Sequence, residues 1–136
     1  MAIYLGDKSA LTRVHQDDVM HRVSALYVSG QIATCALIDL EFLFSARSAV
    51  DYEELLFDRM LLPQVSCGDA VMERAMDVQR VLAARGQHRL PTNDLVIAAA
   101  AEQAGLTVLH YDSDFDLIGE VTGQPMEWVV PRGTVP

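Results

Sequence analysis

Residues 92–110 read Thr92-Asn93-Asp94-Leu95-Val96-Ile97-Ala98-Ala99-Ala100-Ala101-Glu102-Gln103-Ala104-Gly105-Leu106-Thr107-Val108-Leu109-His110: a helix, a stop and a strand. Pro91-Thr92 opens the helix, with Thr92 the expected N-cap. The apolar run from Leu95 to Ala101 carries it on to Ala104, and Gly105 ends it. Thr107 to His110 is then a short apolar strand of the parallel type. Asp94 stands in the first turn of this otherwise apolar helix, and Asp112 follows the strand.

The same alternation extends in both directions. Ile3 to Leu5 is a buried strand ending in Gly6-Asp7. Ser9 to Arg13 is a short helix, and His15 to Ser29 is a longer one, with Val19, Val23, Leu26 and Tyr27 on one face and Gly30 at its end. Gln31 to Ala36 is β-like, and Leu37 to Arg47 is helical. Tyr52 to Met60 is a helix with Asp51 as the expected N-cap. Pro63 confines Leu62 to Val65 to a short or edge strand. Asp69 to Arg85 is amphipathic, with Val71, Ala75, Val78 and Leu82 as its stripe. A short helix from Asp114 to Gly119, a strand from Glu127 to Val130 and a loose tail complete the chain. Helices alternating with short apolar strands specify an α/β fold: a mostly parallel sheet covered on both faces. With no internal repeat or linker, residues 1–136 are expected to form one domain.

Composition narrows the class. Hydrophobic residues make up 51% of the chain and charged residues 21%, which supports a packed core and excludes overall disorder. No apolar stretch reaches the roughly 18 residues a membrane helix needs, and no secretory signal is visible, so a cytoplasmic location is expected. Cys35 and Cys67 show no CxxC spacing and read as small thiols in a reducing compartment. Asp and Glu total 19 against 10 Lys and Arg, a formal charge of −9. That balance argues against nucleic-acid binding unless the acids converge on cations.

The position of the acids decides between these. In open parallel α/β sheets, sites form beyond the carboxyl ends of the strands. Asp7 and Asp112 fall there, while Asp94 and Glu41 lie near the start or inner face of helices. Each has a bland reading: Asp7, Asp94 and Asp112 suit helix starts. Glu41, among Leu37, Leu40, Phe42 and Phe44, is harder to explain, since a buried unpaired carboxylate is costly. Gathered together, such carboxylates repel one another unless a cation neutralises them. A hard-oxygen set without His or Cys selects Mg2+ or Mn2+ over Zn2+. The four histidines, 15, 21, 88 and 110, show no metal-type spacing.

Four blocks carry a family resemblance. Tyr4-Leu5-Gly6-Asp7-Lys8-Ser9-Ala10-Leu11 resembles the start of a PIN domain, and Leu40-Glu41-Phe42 its second-helix glutamate. Leu90 to Ala100, with Asp94, resembles the most recognisable block of VapC-type toxins. Val108 to Asp116, with Asp112 and then Asp114-Phe115, resembles the last block. The resemblance covers the whole chain in order and implies a three-layer α/β/α sandwich. It also implies an endoribonuclease in which Asp7, Glu41, Asp94 and Asp112 hold one or two Mg2+ or Mn2+ ions, with Ser9 and Asp114 in support. Asp39 is a rival for Glu41, and Asp114 or Asp116 for Asp112; Asp39 and Glu41, two apart, cannot share a helix face. Lys8 departs from the family's frequent Thr and is read as facing solvent. Arg13, Arg47, Arg85, Arg89 and Arg132 are candidates to line an RNA path or to be plain surface. A VapB-type antitoxin, an RNA substrate (tRNA or rRNA) and a homodimer are the implied partners, with no membrane. The rival from another class is a phosphoacceptor receiver domain, but that expects an acidic pair after the first strand and a late-strand lysine. The sole lysine here is Lys8. A catalytically inactive PIN-fold binding module is the other alternative; the presence of all four acids argues against it.

Overall fold

The computed structural model describes residues 1–136. Five parallel strands form its centre: β1 (Tyr4–Gly6), β2 (Ile32–Cys35), β3 (Gln64–Val65), β4 (Thr107–His110) and β5 (Met126–Trp128), ordered β3-β2-β1-β4-β5. The helices are α1 (Lys8–Leu11), α2 (Asp17–Val28), α3 (Ala36–Phe44), α4 (Ala49–Met60), α5 (Asp69–Ala84), α6 (Thr92–Ala104) and α7 (Asp114–Thr122). From β1 the chain winds outward through β2 and β3, then returns to place β4 on the other side of β1. The strand order therefore reverses between β1 and β4, and a crevice opens beyond their carboxyl ends.

Successive strand residues point to opposite faces, so the central strands feed two cores. Leu5, Ala33, Cys35 and Val108 join a core with Ile38 of α3, the stripe of α5, Leu95 to Ala101 of α6, and Phe115 and Ile118 of α7. Ile32, Leu109, Val129 and Val130 join a smaller one with Ala10 and Leu11 of α1 and Val19 and Val23 of α2. The expected three layers are present. Helix α6 has no apolar stripe because most of its circumference is covered: Leu95 and the run from Ile97 to Ala101 are all buried. Gly105 ends it at φ 70°, a left-handed conformation in which any other residue would be strained.

Local chemistry shifts several expected boundaries. Ser48, not Asp51, caps α4: its hydroxyl accepts the Asp51 amide at 3.1 Å, so the helix starts three residues earlier than expected, at Ala49. Asp51 lies in the first turn and accepts the Arg47 amide. Pro91, not Thr92, is the N-cap of α6, because the Pro91 carbonyl already takes the Asp94 and Leu95 amides. Helix α7 runs to Thr122 and β5 begins at Met126, where its register with β4 is set by Val108 opposite Met126. Pro63 has the effect foreseen. Its carbonyl takes the Thr34 amide, and β3 is reduced to two residues at the sheet edge.

Candidate active site

The strand reversal brings together two carboxylates, one beyond the end of β1 and one beyond the end of β4. Asp7 directly follows β1 and is buried; its Oδ2 accepts the Ser9 amide at 2.9 Å, capping α1. Asp112 lies just past β4, where its Oδ1 accepts the Asp114 amide at 2.9 Å. Asp7 is thus the local cap its bland reading expects, whereas Ser113, not Asp112, is the N-cap of α7 and Asp112 makes a local turn bond; each carboxylate leaves one oxygen uncommitted. Ser9 joins the two sides, since its Oγ accepts the Tyr111 amide at 2.9 Å while its amide holds Asp7.

Helices bring in the other acids. The first turn of α6 presents Asp94, the N-terminus of α7 presents Asp114, and the middle of α3 presents Glu41. One carboxylate oxygen each from Asp94, Asp112 and Asp114 lie within 4.8 Å of one another. Asp7 and Glu41 stand around that trio and act on Asp94 through their charge. Asp114, expected only in support, is a member of the tightest group.

The electrostatics identify Asp94 as the hub. Burial, followed by the charges of Asp7, Asp112, Asp114 and Glu41, pushes its carboxyl up to about 7. Its Oδ2 is buried with no hydrogen-bond partner, a costly state for a carboxylate oxygen. Burial also raises Asp7, against the opposing effect of its Ser9 hydrogen bonds, and raises Glu41 and Asp114. Asn93 donates from Nδ2 to Glu41 Oε1 at 2.9 Å. Lys8 opposes the rise at Glu41 through its charge. It does not simply face solvent as expected: its ammonium donates to the Glu41 carbonyl at 3.3 Å. An under-neutralised set of hard oxygens with an orphaned buried carboxylate oxygen has the chemistry of a divalent-cation site.

The PIN-domain family model matches residues 4–121. The chain belongs to the PIN-domain family. Ribonuclease VapC21 of Mycobacterium tuberculosis is 46% identical over 133 residues, 96% of this chain and 96% of that protein. Ribonuclease VapC51 of the same organism is 42% identical over 132 residues, 97% and 96% of the two chains. This is a VapC-type PIN ribonuclease by family. Solved structures share the fold: DNA-bound VapBC from Salmonella typhimurium at TM-score 0.76 and 15% identity, covering 96% of this chain and 100% of that one. VapBC2 from Rickettsia felis, bound to a promoter DNA fragment, has TM-score 0.74 and 16% identity, covering 92% and 97%.

Within this PIN domain two of the rival acids, Asp39 and Asp116, are engaged elsewhere. Asp39 is buried on the opposite side of α3 from Glu41. Its Oδ1 accepts from Arg59 Nε and Thr34 Oγ1, both at 2.9 Å, and the Arg59 guanidinium lies 4.2 Å from the Phe42 ring centre. That network ties α4 to α3 and β2. Asp116 accepts the Trp128 indole N–H and so faces β5. His15, His21 and His88 are exposed, and the carboxylate trio includes no histidine. Arg13 is held within the PIN domain, donating to the Ser9 and Pro136 carbonyls and lying over the Tyr111 ring. Arg132 stacks on Trp128, and Arg47, Arg85 and Arg89 are exposed. Sequence reasoning assigned no role to Asn93, although its place beside Asp94 was a signal. An open groove of about 440 Å³ lined by Lys8, Leu37, Leu40, Glu41, Phe44 and Asn93 adjoins the site. A larger groove, about 690 Å³, runs along α4 and is lined by none of the clustered carboxylates.

Proposed function

We propose that this chain is a metal-dependent endoribonuclease, the toxin of a VapBC-type toxin–antitoxin pair, acting on RNA through the carboxylates at the β1–β4 crevice. The observation that carries the reading is the convergence of Asp7, Glu41, Asp94, Asp112 and Asp114 at the one point where the strand order reverses, in a chain 46% identical to Ribonuclease VapC21.

Asp94, Asp112 and Asp114 would hold a divalent cation, Mg2+ or Mn2+, with Asp7 and Glu41 completing one or two ion sites. A cation bound there lowers the pKa of a water molecule and stabilises charge on the scissile phosphate. The chain's own groups then have distinct tasks. Asp94 supplies the orphaned Oδ2, and Asp7 and Asp112 supply the oxygens their local backbone bonds leave open. Ser9 fixes Asp7 against the turn that carries Asp112. Asn93 holds one oxygen of Glu41, leaving the other to orient the attacking water and accept its proton. Metal loading also answers the charge objection, because it turns an acidic crevice into a phosphate-binding one.

The antitoxin is the expected protein partner, and a second copy of the chain the expected oligomer. Leu40 and Phe44 on α3 and Val50 and Phe57 on α4 are exposed, a surface suited to protein contact. No helix is long and apolar enough to cross a membrane.

Purified protein with Mg2+ or Mn2+ should cut structured RNA such as tRNA or rRNA. EDTA, or Asp94→Asn with an unchanged circular dichroism spectrum, should abolish the cut. Full cleavage by the Asn variant would sink the reading. Growth arrest on expression, relieved by co-expressing a VapB-type protein, is the matching test of the toxin role.

A further inference from the structure

His110 is fully buried at the end of β4, its ring centre 5.1 Å from that of Phe115 and 5.0 Å from that of Trp128. An aromatic slot of this kind suits an apolar ring. An imidazole there is harder to account for, because its Nε2 is buried and has no hydrogen-bond partner. The nearest carboxylate oxygen, Asp116 Oδ1, is 3.9 Å away, and both Asp116 oxygens already accept from the Trp128 indole at 3.2 Å. That distance is beyond a hydrogen bond. Packing alone would favour Phe or Leu at this position. What imidazole adds is at the other nitrogen: Nδ1 accepts the Asp112 amide at 3.2 Å. No backbone carbonyl takes that amide.

The hydrogen bond fixes the state of the ring. An amide N–H can only donate, so Nδ1 must carry a lone pair and the ring is the neutral Nε2–H tautomer. The turn leaving β4 is thereby pinned through two successive amides, each by a side chain: Tyr111 by Ser9 Oγ and Asp112 by His110 Nδ1. Ser9 refers the turn to Asp7, and His110 refers it to the aromatic core under α7. The Asp112 carboxylate is left to bond the Asp114 amide and meet Asp94.

We infer that His110 is a positioning residue whose Nδ1 holds the backbone of Asp112, and with it the Asp112 carboxylate, in register with Asp94 and Asp114 for cation binding. The inference rests on the proposed function in taking Asp112 as part of the cation site. It goes beyond that reading in assigning a structural task to a residue outside the acidic set.

The test uses the pair His110→Asn and His110→Gln in the full chain, because an Asn side chain places an acceptor near the Nδ1 position and Gln near Nε2. Mn2+ binding is measured by calorimetry, with thermal midpoints taken in EDTA. The Asn variant should bind Mn2+ close to wild type, whatever its thermal midpoint. The Gln variant should lose about 10–100-fold in affinity, the usual cost of removing a partner that orients a ligand. A residue that merely fills the core would make both variants lose affinity in step with stability. Equal Mn2+ affinity in the two variants overturns the inference. If the Gln variant does not fold, ¹⁵N NMR of the wild-type ring decides: the Nε2–H tautomer supports the role, and the Nδ1–H tautomer overturns it. RNA cleavage is scored separately. Wild-type protein that binds Mn2+ with the expected Asn–Gln split but cuts no RNA would overturn the nuclease reading and uphold the His110 role.

Discussion

Two acids on one helix, Asp39 and Glu41, show how far residue type falls short of residue role. Asp39 is buried and bonded to Arg59 and Thr34; Glu41 is half-buried and bonded to Asn93. Asp39→Ala leaves the Arg59 guanidinium buried without its carboxylate, and should destabilise the protein by about 3–5 kcal/mol in chemical denaturation. Glu41→Gln should leave stability nearly unchanged and reduce RNA cleavage by at least an order of magnitude. The reverse pattern would mean that Asp39, not Glu41, serves the site. Asp94 allows a pH test at the same scale. Burial and four neighbouring carboxylates raise it to about 7 in the fold, against about 3.9 in an unfolded chain. Between those values the folded state holds a proton that the unfolded state has lost. The stabilising contribution is therefore complete below about pH 4 and disappears as pH rises through 7. Metal-free protein should lose about 1–2 kcal/mol of stability from this group between pH 5 and pH 8, after allowance for solvent screening. Asp94→Asn should flatten that dependence, and saturating Mg2+ should offset it in the wild type. A metal-free stability that rises over this interval would contradict the electrostatic account.

At the scale of elements, the approach of β1 to its neighbours sets where Asp7 emerges. A Cβ on Gly6 would lie 2.9 Å from Ile32 Cγ2 and 3.0 Å from Leu11 Cδ1, so the absence of a side chain lets β1, β2 and α1 close together. Gly6→Ala should cost about 1–3 kcal/mol through overpacking, seen as a lowered thermal midpoint, and should weaken Mn2+ binding by displacing Asp7; an unchanged midpoint would show that Ile32 and Leu11 yield freely. The elements themselves were readable where periodicity was strong. The stripe Val71, Ala75, Val78 and Leu82 is buried as a unit, and the apolar run of α6 is a covered helix. Helix starts were less readable, because Ser48 and Pro91 each took the capping position from a neighbour that could equally have filled it. Asp7 and Asp112 could be placed from sequence because strand ends mark sites in parallel sheets. The Arg59–Asp39 pair spans 20 residues of sequence, and no local pattern announces it. The His110–Asp112 bond joins residues only two apart, but it depends on which way a strand-end side chain turns, and that is decided by the rings of Phe115 and Trp128.

Over the whole molecule, a formal charge of −9 must be reconciled with the polyanionic substrate proposed for it. Half of the ten Lys and Arg side chains are committed within the fold. Arg22, Arg59 and Arg74 are paired with Glu127, Asp39 and Glu102, and Arg13 is committed to main-chain carbonyls. The carboxylates at the crevice raise the local negative potential at the proposed site of cleavage. Without metal, that region should repel RNA. With metal, most of that charge is neutralised and the cation itself offers the phosphate a positive contact, and the remaining surface arginines can add counterion-release affinity. The cation should thus be needed for RNA binding, not for the chemical step alone. Measured with Asp7→Asn protein, which should be too slow to cut yet keep Asp94, Asp112 and Asp114, RNA affinity should fall by at least tenfold when EDTA replaces Mn2+ at constant ionic strength. Changing Asp94 as well should remove most of that metal dependence. Equal affinity with and without Mn2+ would place the RNA-binding surface away from the crevice, on the exposed arginines, and would require the substrate to reach the carboxylates by another route.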